Sequence, residues 1–292
     1  MPNLPYTTLI CTADLQTLLA SDKPCKVFDC SFDLMQPDAG AAQYAQAHIP
    51  GAAYAHLDSA LSAKGDRAVT RAASGGRHPL PTRAAFAAWL GSVGFDNTMQ
   101  AVVYDRQGAN YCGRLWWMLK WAGHEAVAVL DGGLQAWQAA GSAVEAGMPV
   151  AIAPANFALT PARTALATIE TVAAQLGRST QTLIDARGGP RFRGEVEPLD
   201  PVAGHIPGAL NRPFTDNIGP DGCFKPAATL RTEFEAMLGQ RDPATVVHHC
   251  GSGVSAVPNL LAMEIAGLGR TALFAGSWSE WCSNPDRPVA QG

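Results

Sequence analysis

The chain is short of charge and has no cluster of one sign. Lys, Arg, Asp and Glu make up 16% of its 292 residues, and the net charge is −4. No basic run and no interleaving of basic with aromatic residues occurs, so nucleic acid is not an expected partner. No apolar run reaches about 18 residues, the length a membrane helix needs, and no membrane span is expected. Met1-Pro2-Asn3-Leu4-Pro5 has no positive charge ahead of an apolar stretch, so no secretory leader is expected either. Seven cysteines, an odd number at irregular spacing, do not form a disulfide framework. The expected compartment is reducing cytoplasm. His248, His249, Cys250 and Cys282 lack metal-ligand spacing such as Cys-x-x-Cys, so no metal is expected.

What the chain does have is a 47% hydrophobic content and an internal duplication. His48-Ile49-Pro50-Gly51-Ala52 recurs 157 residues later as His205-Ile206-Pro207-Gly208-Ala209. Val27-Phe28-Asp29 matches Leu183-Ile184-Asp185 at an offset of 156. Asp131–Trp137 resembles Phe274–Trp281, with Gly133 aligned to Gly276. Similar offsets in the same order mean two copies of one unit, not a solenoid.

Each copy alternates short β-rich runs with helical patterns. In the first, Thr12 can cap a helix through Leu19 and Thr82 one over Arg83–Leu90, with strands at Val27–Cys30, Ala101–Tyr104 and Ala126–Leu130. In the second, Thr168 precedes a helix to Leu176, with strands at Leu183–Ala186, Thr245–His248 and Thr271–Phe274. This alternation predicts an α/β fold with a mostly parallel sheet in each copy. Residues 1–146 form the first expected domain and 167–292 the second. The linker falls at 147–166, where Pro149, Pro154 and Pro161 make the chain extended and stiff.

His248-His249-Cys250-Gly251-Ser252-Gly253-Val254-Ser255 carries the chemistry. Cys250 follows the apolar strand end Val246-Val247, and a helical pattern begins near Ala256. Backbone N–H groups converge at such a junction, and with the positive end of the helix they suit an anionic sulfur. The glycines let the loop curl so that several N–H groups face one point. The bland alternative, a buried cysteine in an ordinary turn, does not need two glycines there. In the first copy Asp105 stands opposite Cys250, so sulfur chemistry is expected only in the second.

Other thiolate chemistries fit less well. A cysteine phosphatase needs Arg six positions after its cysteine, and Ala256 stands there. A Cys-His hydrolase would draw on His248 or His249, which alternate across a strand and lack a nearby carboxylate. A non-catalytic sulfur carrier or regulatory binding module is the rival class. Turnover with a Cys250→Ser control separates it from an enzyme.

The His-Ile-Pro-Gly elements, Asp131–Trp137, Arg191-Phe192-Arg193-Gly194, the Cys250–Ser255 loop and Gly276-Ser277-Trp278 together resemble the tandem-domain rhodanese-like sulfurtransferases. The resemblance covers nearly the whole chain. It implies two rhodanese-like folds, an inactive N-terminal copy and a Cys250 that carries sulfur as a persulfide, with no cofactor. The cation-free loop Gly251, Ser252, Gly253, Val254, Ser255 is similar to that of the mercaptopyruvate-specific members, with Ser255 in place of their Thr. The family implies a relay of Ser252, His78 and Asp58, a substrate-carboxylate arginine at Arg191, and Arg187 with Gly251, Gly253, Val254 and Ser255 as further substrate-binding residues. Those members have a second arginine in Glu-Pro-Arg, where this chain reads Glu197-Pro198-Leu199. Arg187, Arg193 and Arg212 are the candidates to replace it. The expected donor is 3-mercaptopyruvate and the expected acceptor a thiol, such as thioredoxin, or cyanide. Thiosulfate is the alternative donor. Cys11, Cys25, Cys30, Cys112 and Cys223 have no glycine cradle and are expected to be inert.

Overall fold

A computed structural model describes residues 5–65, 72–148 and 152–292. The first four residues, on which the reading of the N-terminus rests, and Pro149 of the expected linker lie outside them. The chain divides into two compact units. The first comprises Met1–Ala63, Pro81–Arg163 and Pro220–Phe224, and the second Lys64–Leu80, Thr164–Gly219 and Lys225–Gly292. Each unit therefore takes in one segment from the other half of the sequence.

The first unit holds β1 (Leu9–Ile10), β2 (Cys25–Asp29), β3 (Ala53–Tyr54), β4 (Gln100–Tyr104) and β5 (Val127–Leu130). Their order in the sheet is β1-β5-β4-β2-β3, and every pairing is parallel. The second holds β6 (Ala165–Ala167), β7 (Thr182–Asp185), β8 (Leu210–Asn211), β9 (Val246–His249) and β10 (Ala272–Phe274). Its order, β6-β10-β9-β7-β8, repeats the first topology strand for strand, again all parallel. The expected α/β class and duplication are both present.

The central strands β4, β5, β7 and β9 are buried at every position, as strands covered on both faces must be. That is why they read as continuous apolar runs rather than alternating ones. The helix Cys112–Trp121 packs on β4 and β5, and Val257–Ile265 packs on β9 and β10. Thr82 and Thr168 cap their helices through Ala85 and Thr171 N–H as expected. The cap of the helix Thr12–Leu19 is not Thr12 but Cys11, whose sulfur accepts from Asp14 N–H. The helix begins one residue earlier than a hydroxyl cap at Thr12 would have it.

The repeated His-Ile-Pro-Gly elements have an architectural role. His48 stacks on Tyr44 and His205 on Phe192, each with 3.8 Å between ring centroids. Each imidazole Nδ1 lies 2.8 Å from the main-chain carbonyl oxygen of the residue it stacks on. Each histidine also forms one antiparallel bridge, His48 to Glu145 and His205 to Ala290. Within the expected linker, residues 155–163 are tied along the first unit. Ala155 N–H donates to Gly91 O, Thr160 N–H to Ala122 O and Arg163 N–H to Lys120 O.

Among the described residues, no helix is long and apolar enough to cross a membrane. None of their His, Cys, Asp and Glu residues gather into a group that could hold a metal ion.

Candidate active site

Cys250 is the first residue after β9, at the carboxyl end of the sheet, where open α/β sheets bind ligands. It is 2% exposed. Its main chain is held by two hydrogen bonds. Its N–H donates to Ser277 Oγ at 3.0 Å, and its carbonyl accepts from Trp278 N–H at 2.9 Å. Ser277 holds a left-handed backbone at φ 55°. Its hydroxyl also donates to Phe274 O, which offsets the cost of that conformation.

The loop then curls tightly. Gly253 has φ +73°, and a Cβ there would stand 2.1 Å from Ala275 O, so only glycine fits. Among the described residues, no acceptor takes the main-chain N–H groups of Gly251, Ser252, Val254, Ser255 or Ala256. Val254 is buried and Ser255 half-buried at the foot of the next helix.

The matching loop of the first unit shows what such amides can hold. The Asp105 carboxylate is 2% exposed and accepts four N–H groups. Those of Gln107 and Ala109 reach Oδ1 at 2.9 and 3.1 Å, and those of Tyr111 and Cys112 reach Oδ2 at 2.8 and 2.9 Å. Asp105 O accepts from Leu134 N–H as Cys250 O accepts from Trp278 N–H. This sets Gly133 (φ 59°) opposite Ser277, one place on from the expected pairing with Gly276. The sequence alignment followed glycine identity, whereas the shared property is a positive φ. Asp105→Asn is expected to cost about 1.5–3 kcal/mol, because an amide nitrogen would face N–H donors. A lowered thermal midpoint with unchanged turnover checks this.

The segment Ala72–Leu80 belongs to the second unit and brings His78 to the loop. His78 Nδ1 lies 2.8 Å from Ser252 Oγ, and both residues are buried. Gly75 N–H donates to Glu280 and Arg77 N–H to Ser279 Oγ, which pins the segment against the helix Ser277–Trp281. Asp58 lies in the first unit, half-buried, with its N–H donated to His56 Nδ1 at 3.0 Å.

Arg191 forms ion pairs with Glu197 (2.6 Å) and Asp200 (3.3 Å). Its guanidinium lies about Gly251, whose Cβ would stand 3.5 Å from Arg191 Nη1. Arg187 sits deeper, 3% exposed. Its nitrogens reach both Asp185 oxygens, Glu197 and Gly204 O, and its guanidinium covers the Trp278 ring at 4.8 Å. Burial opposes its charge, but Asp185, Glu197 and Cys250 hold its pKa above the ordinary arginine value. Arg187 therefore braces Trp278, whose main-chain N–H holds Cys250 O, with each of its three nitrogens engaged.

The two strand histidines are fully buried. Burial lowers His248 to about 3, and its Nε2 meets Met263 Sδ at 3.2 Å. Burial also lowers His249, which, contrary to the expectation that no carboxylate lies near it, is 3.8 Å from Asp185, brought alongside by the β7–β9 pairing. All seven cysteines are free of disulfides. Burial raises Cys25 to about 11 and holds Cys30 and Cys112 well above the ordinary thiol value.

One site residue escaped the sequence reading. Arg77 stands beside His78, and a Cβ on Gly251 would lie 3.0 Å from its Nη2. Its signal was adjacency to the motif histidine, which says nothing about direction.

The rhodanese-like domain model matches residues 12–140 and 168–284. The chain belongs to the rhodanese-like family. This rhodanese-like chain is 46% identical over 282 residues to "Probable 3-mercaptopyruvate sulfurtransferase" of Pseudomonas aeruginosa, covering 96% of this chain and 97% of that one. It is 33% identical over 257 residues to the thiosulfate sulfurtransferase of Bos taurus, covering 86% and 83%. Among solved structures, it resembles 3-mercaptopyruvate sulfurtransferase from Leishmania major, with a TM-score of 0.82, 30% identity, and 97% and 76% coverage. The expected tandem rhodanese-like architecture is borne out by these matches.

Proposed function

We propose that this rhodanese-like protein is a sulfurtransferase that takes sulfur from 3-mercaptopyruvate through a persulfide on Cys250. One observation carries the reading. Among the described residues, no acceptor takes the amides of Gly251, Ser252, Val254, Ser255 or Ala256, while those of the matching loop in the first unit are filled by a carboxylate. A terminal sulfur anion on Cys250 supplies the charge that Asp105 supplies in the first copy.

In the first half-reaction the Cys250 thiolate attacks the sulfur of mercaptopyruvate. The S–S bond forms as the C–S bond breaks, and the bonding pair leaves on carbon as pyruvate enolate. Ser252, hydrogen-bonded to His78, polarises the keto oxygen or relays a proton to the enolate in this reading. Asp58 is the proposed third member of that relay. Arg191 binds the donor carboxylate, and Arg187 braces Trp278. In the second half-reaction an acceptor thiolate or cyanide attacks the outer sulfur, and Cys250 leaves as thiolate. A low-molecular-weight thiol or thioredoxin in a reducing cytoplasm is the proposed acceptor. With thiosulfate as donor the leaving group is sulfite. The bovine relative's name keeps that second donor in view.

Intact-mass measurement after exposure to each donor tests the reading. Mercaptopyruvate is expected to add one sulfur atom, which cyanide then removes. Labelling by thiosulfate alone moves the donor assignment, and labelling by neither leaves a binding module.

A further inference from the structure

Mercaptopyruvate carries a carboxylate and a ketone, and the family resemblance implies a second arginine at the position where this chain has Leu199. Leu199 is half-buried and gives only its N–H, to Glu197 Oε1 at 3.1 Å. None of the three arginines expected to replace it fills the gap. Arg187 is engaged at every nitrogen. Arg193 is exposed and paired with Glu195. Arg212 is buried against Asn217, Glu233 and the Phe234 ring.

Resting on the reading above, we propose that Arg77 is the second donor-carboxylate cation, supplied by the Ala72–Leu80 segment in place of the missing arginine at Leu199. Its guanidinium and that of Arg191 both lie about Gly251, the residue after the sulfur carrier. Asp200 pairs with both of them and holds them in place. Arg77 uses Nη1 for that pair. Among the described residues, no acceptor takes a hydrogen bond from its Nε, which is buried, or from its Nη2. Nε and Nη2 form one edge of the guanidinium fork, the edge that grips a carboxylate with two parallel bonds. A buried donor with no acceptor is costly in the empty protein, and a substrate carboxylate drawn to that edge satisfies it. The backbone at Arg77 is fixed independently of the side chain, through its N–H to Ser279 Oγ, so changing the side chain leaves His78 in place.

The cluster also bears on which anion binds. Arg77, Arg187 and Arg191 face Asp185, Glu197 and Asp200, so the charges balance before substrate arrives. A balanced cluster suits a monocarboxylate gripped by geometry better than a dianion held by excess positive charge.

The test is the two-donor, two-acceptor kinetics of Arg77→Ala and Arg77→Lys beside the unmodified enzyme. In double displacement, kcat/KM for the donor reports only the first half-reaction and kcat/KM for cyanide only the second. Arg77→Ala is expected to lower kcat/KM for mercaptopyruvate by about 10- to 100-fold, the loss of a charged hydrogen-bond pair. It is expected to weaken product inhibition by pyruvate by a similar factor and to leave kcat/KM for cyanide unchanged. Arg77→Lys keeps the charge without the fork and is expected to fall between the two. Unchanged donor kinetics and pyruvate inhibition, or an equal loss in both half-reactions, would overturn the assignment. An unmodified enzyme inactive with both donors would instead overturn the sulfurtransferase reading itself. If Arg77→Ala does not fold, Arg77→Lys decides alone, by a donor-specific loss or its absence.

Discussion

Cys250→Ser is expected to lower turnover with either donor by about 10⁴-fold or more, the scale seen when a covalent nucleophile is removed. The substitution is close to isosteric, and the contacts that place residue 250 run through its main chain. Its N–H reaches Ser277 Oγ and its carbonyl takes Trp278 N–H, so the loop keeps its form. What disappears is the sulfur itself. A serine hydroxyl stays protonated near neutral pH and cannot carry a second sulfur atom to an acceptor. The variant is expected to melt within about 1 °C of the parent, since no contact of note is lost. It should gain no mass with mercaptopyruvate. Residual turnover above roughly one part in a hundred would place the nucleophile elsewhere, and Cys30, Cys112 and Cys282 could then be tested in the same way.

Asp185→Asn is expected to have the largest effect on stability, about 3–5 kcal/mol. Asp185 is fully buried at the end of β7. It accepts from Arg187 at the backbone N–H (3.0 Å), at Nε and at Nη2 (2.7 Å). The asparagine keeps the shape and removes the charge. Arg187 is then left at 3% exposure with Glu197 at 3.3 Å as its remaining ionic partner. A fall in thermal midpoint of roughly 10 °C follows for a chain of this size. The same contact fixes a pH dependence. Burial acts to raise Asp185, but His249 and Arg187 more than offset it, so the folded carboxyl lies below its ordinary value. A carboxyl depressed by folding contributes its stability above the unfolded pKa, near 4, and loses it as pH falls through the lower folded value. The unmodified protein is expected to lose midpoint below about pH 4, and Asp185→Asn to lack that part of the decline. A midpoint within 2 °C of the parent at neutral pH would show that the pair contributes little.

Much of this was legible in the residues. Strands were readable because a parallel strand covered on both faces is an unbroken apolar run, as at Val102-Val103 and Val246-Val247. Cys250 stood out because two glycines follow it closely, and Gly253 proves to need its left-handed backbone. Ser252 and His78 meet as the family resemblance implied, 174 residues apart in sequence. Arg77 was not legible, because its direction depends on Gly75 and Arg77 bonding to Glu280 and Ser279, some 200 residues away. Arg187 was expected among the substrate-binding residues, and its saturation by Asp185, Glu197 and Gly204 O is a tertiary fact that the sequence does not record. The one-place shift between Gly133 and Ser277 has the same origin. Backbone conformation, which two different residues share there, leaves no letter in common.

The carboxylate lodged in the first unit's loop has a consequence for how the two copies age in use. One is permanently saturated by its own side chain and is indifferent to metabolic state. On the proposed mechanism the amides of Gly251, Ser252, Val254, Ser255 and Ala256 in the other gain an acceptor when Cys250 is loaded, so its rigidity should rise and fall with each turnover. Hydrogen exchange at residues 251–256 should slow on loading, while residues 107–112 report nothing.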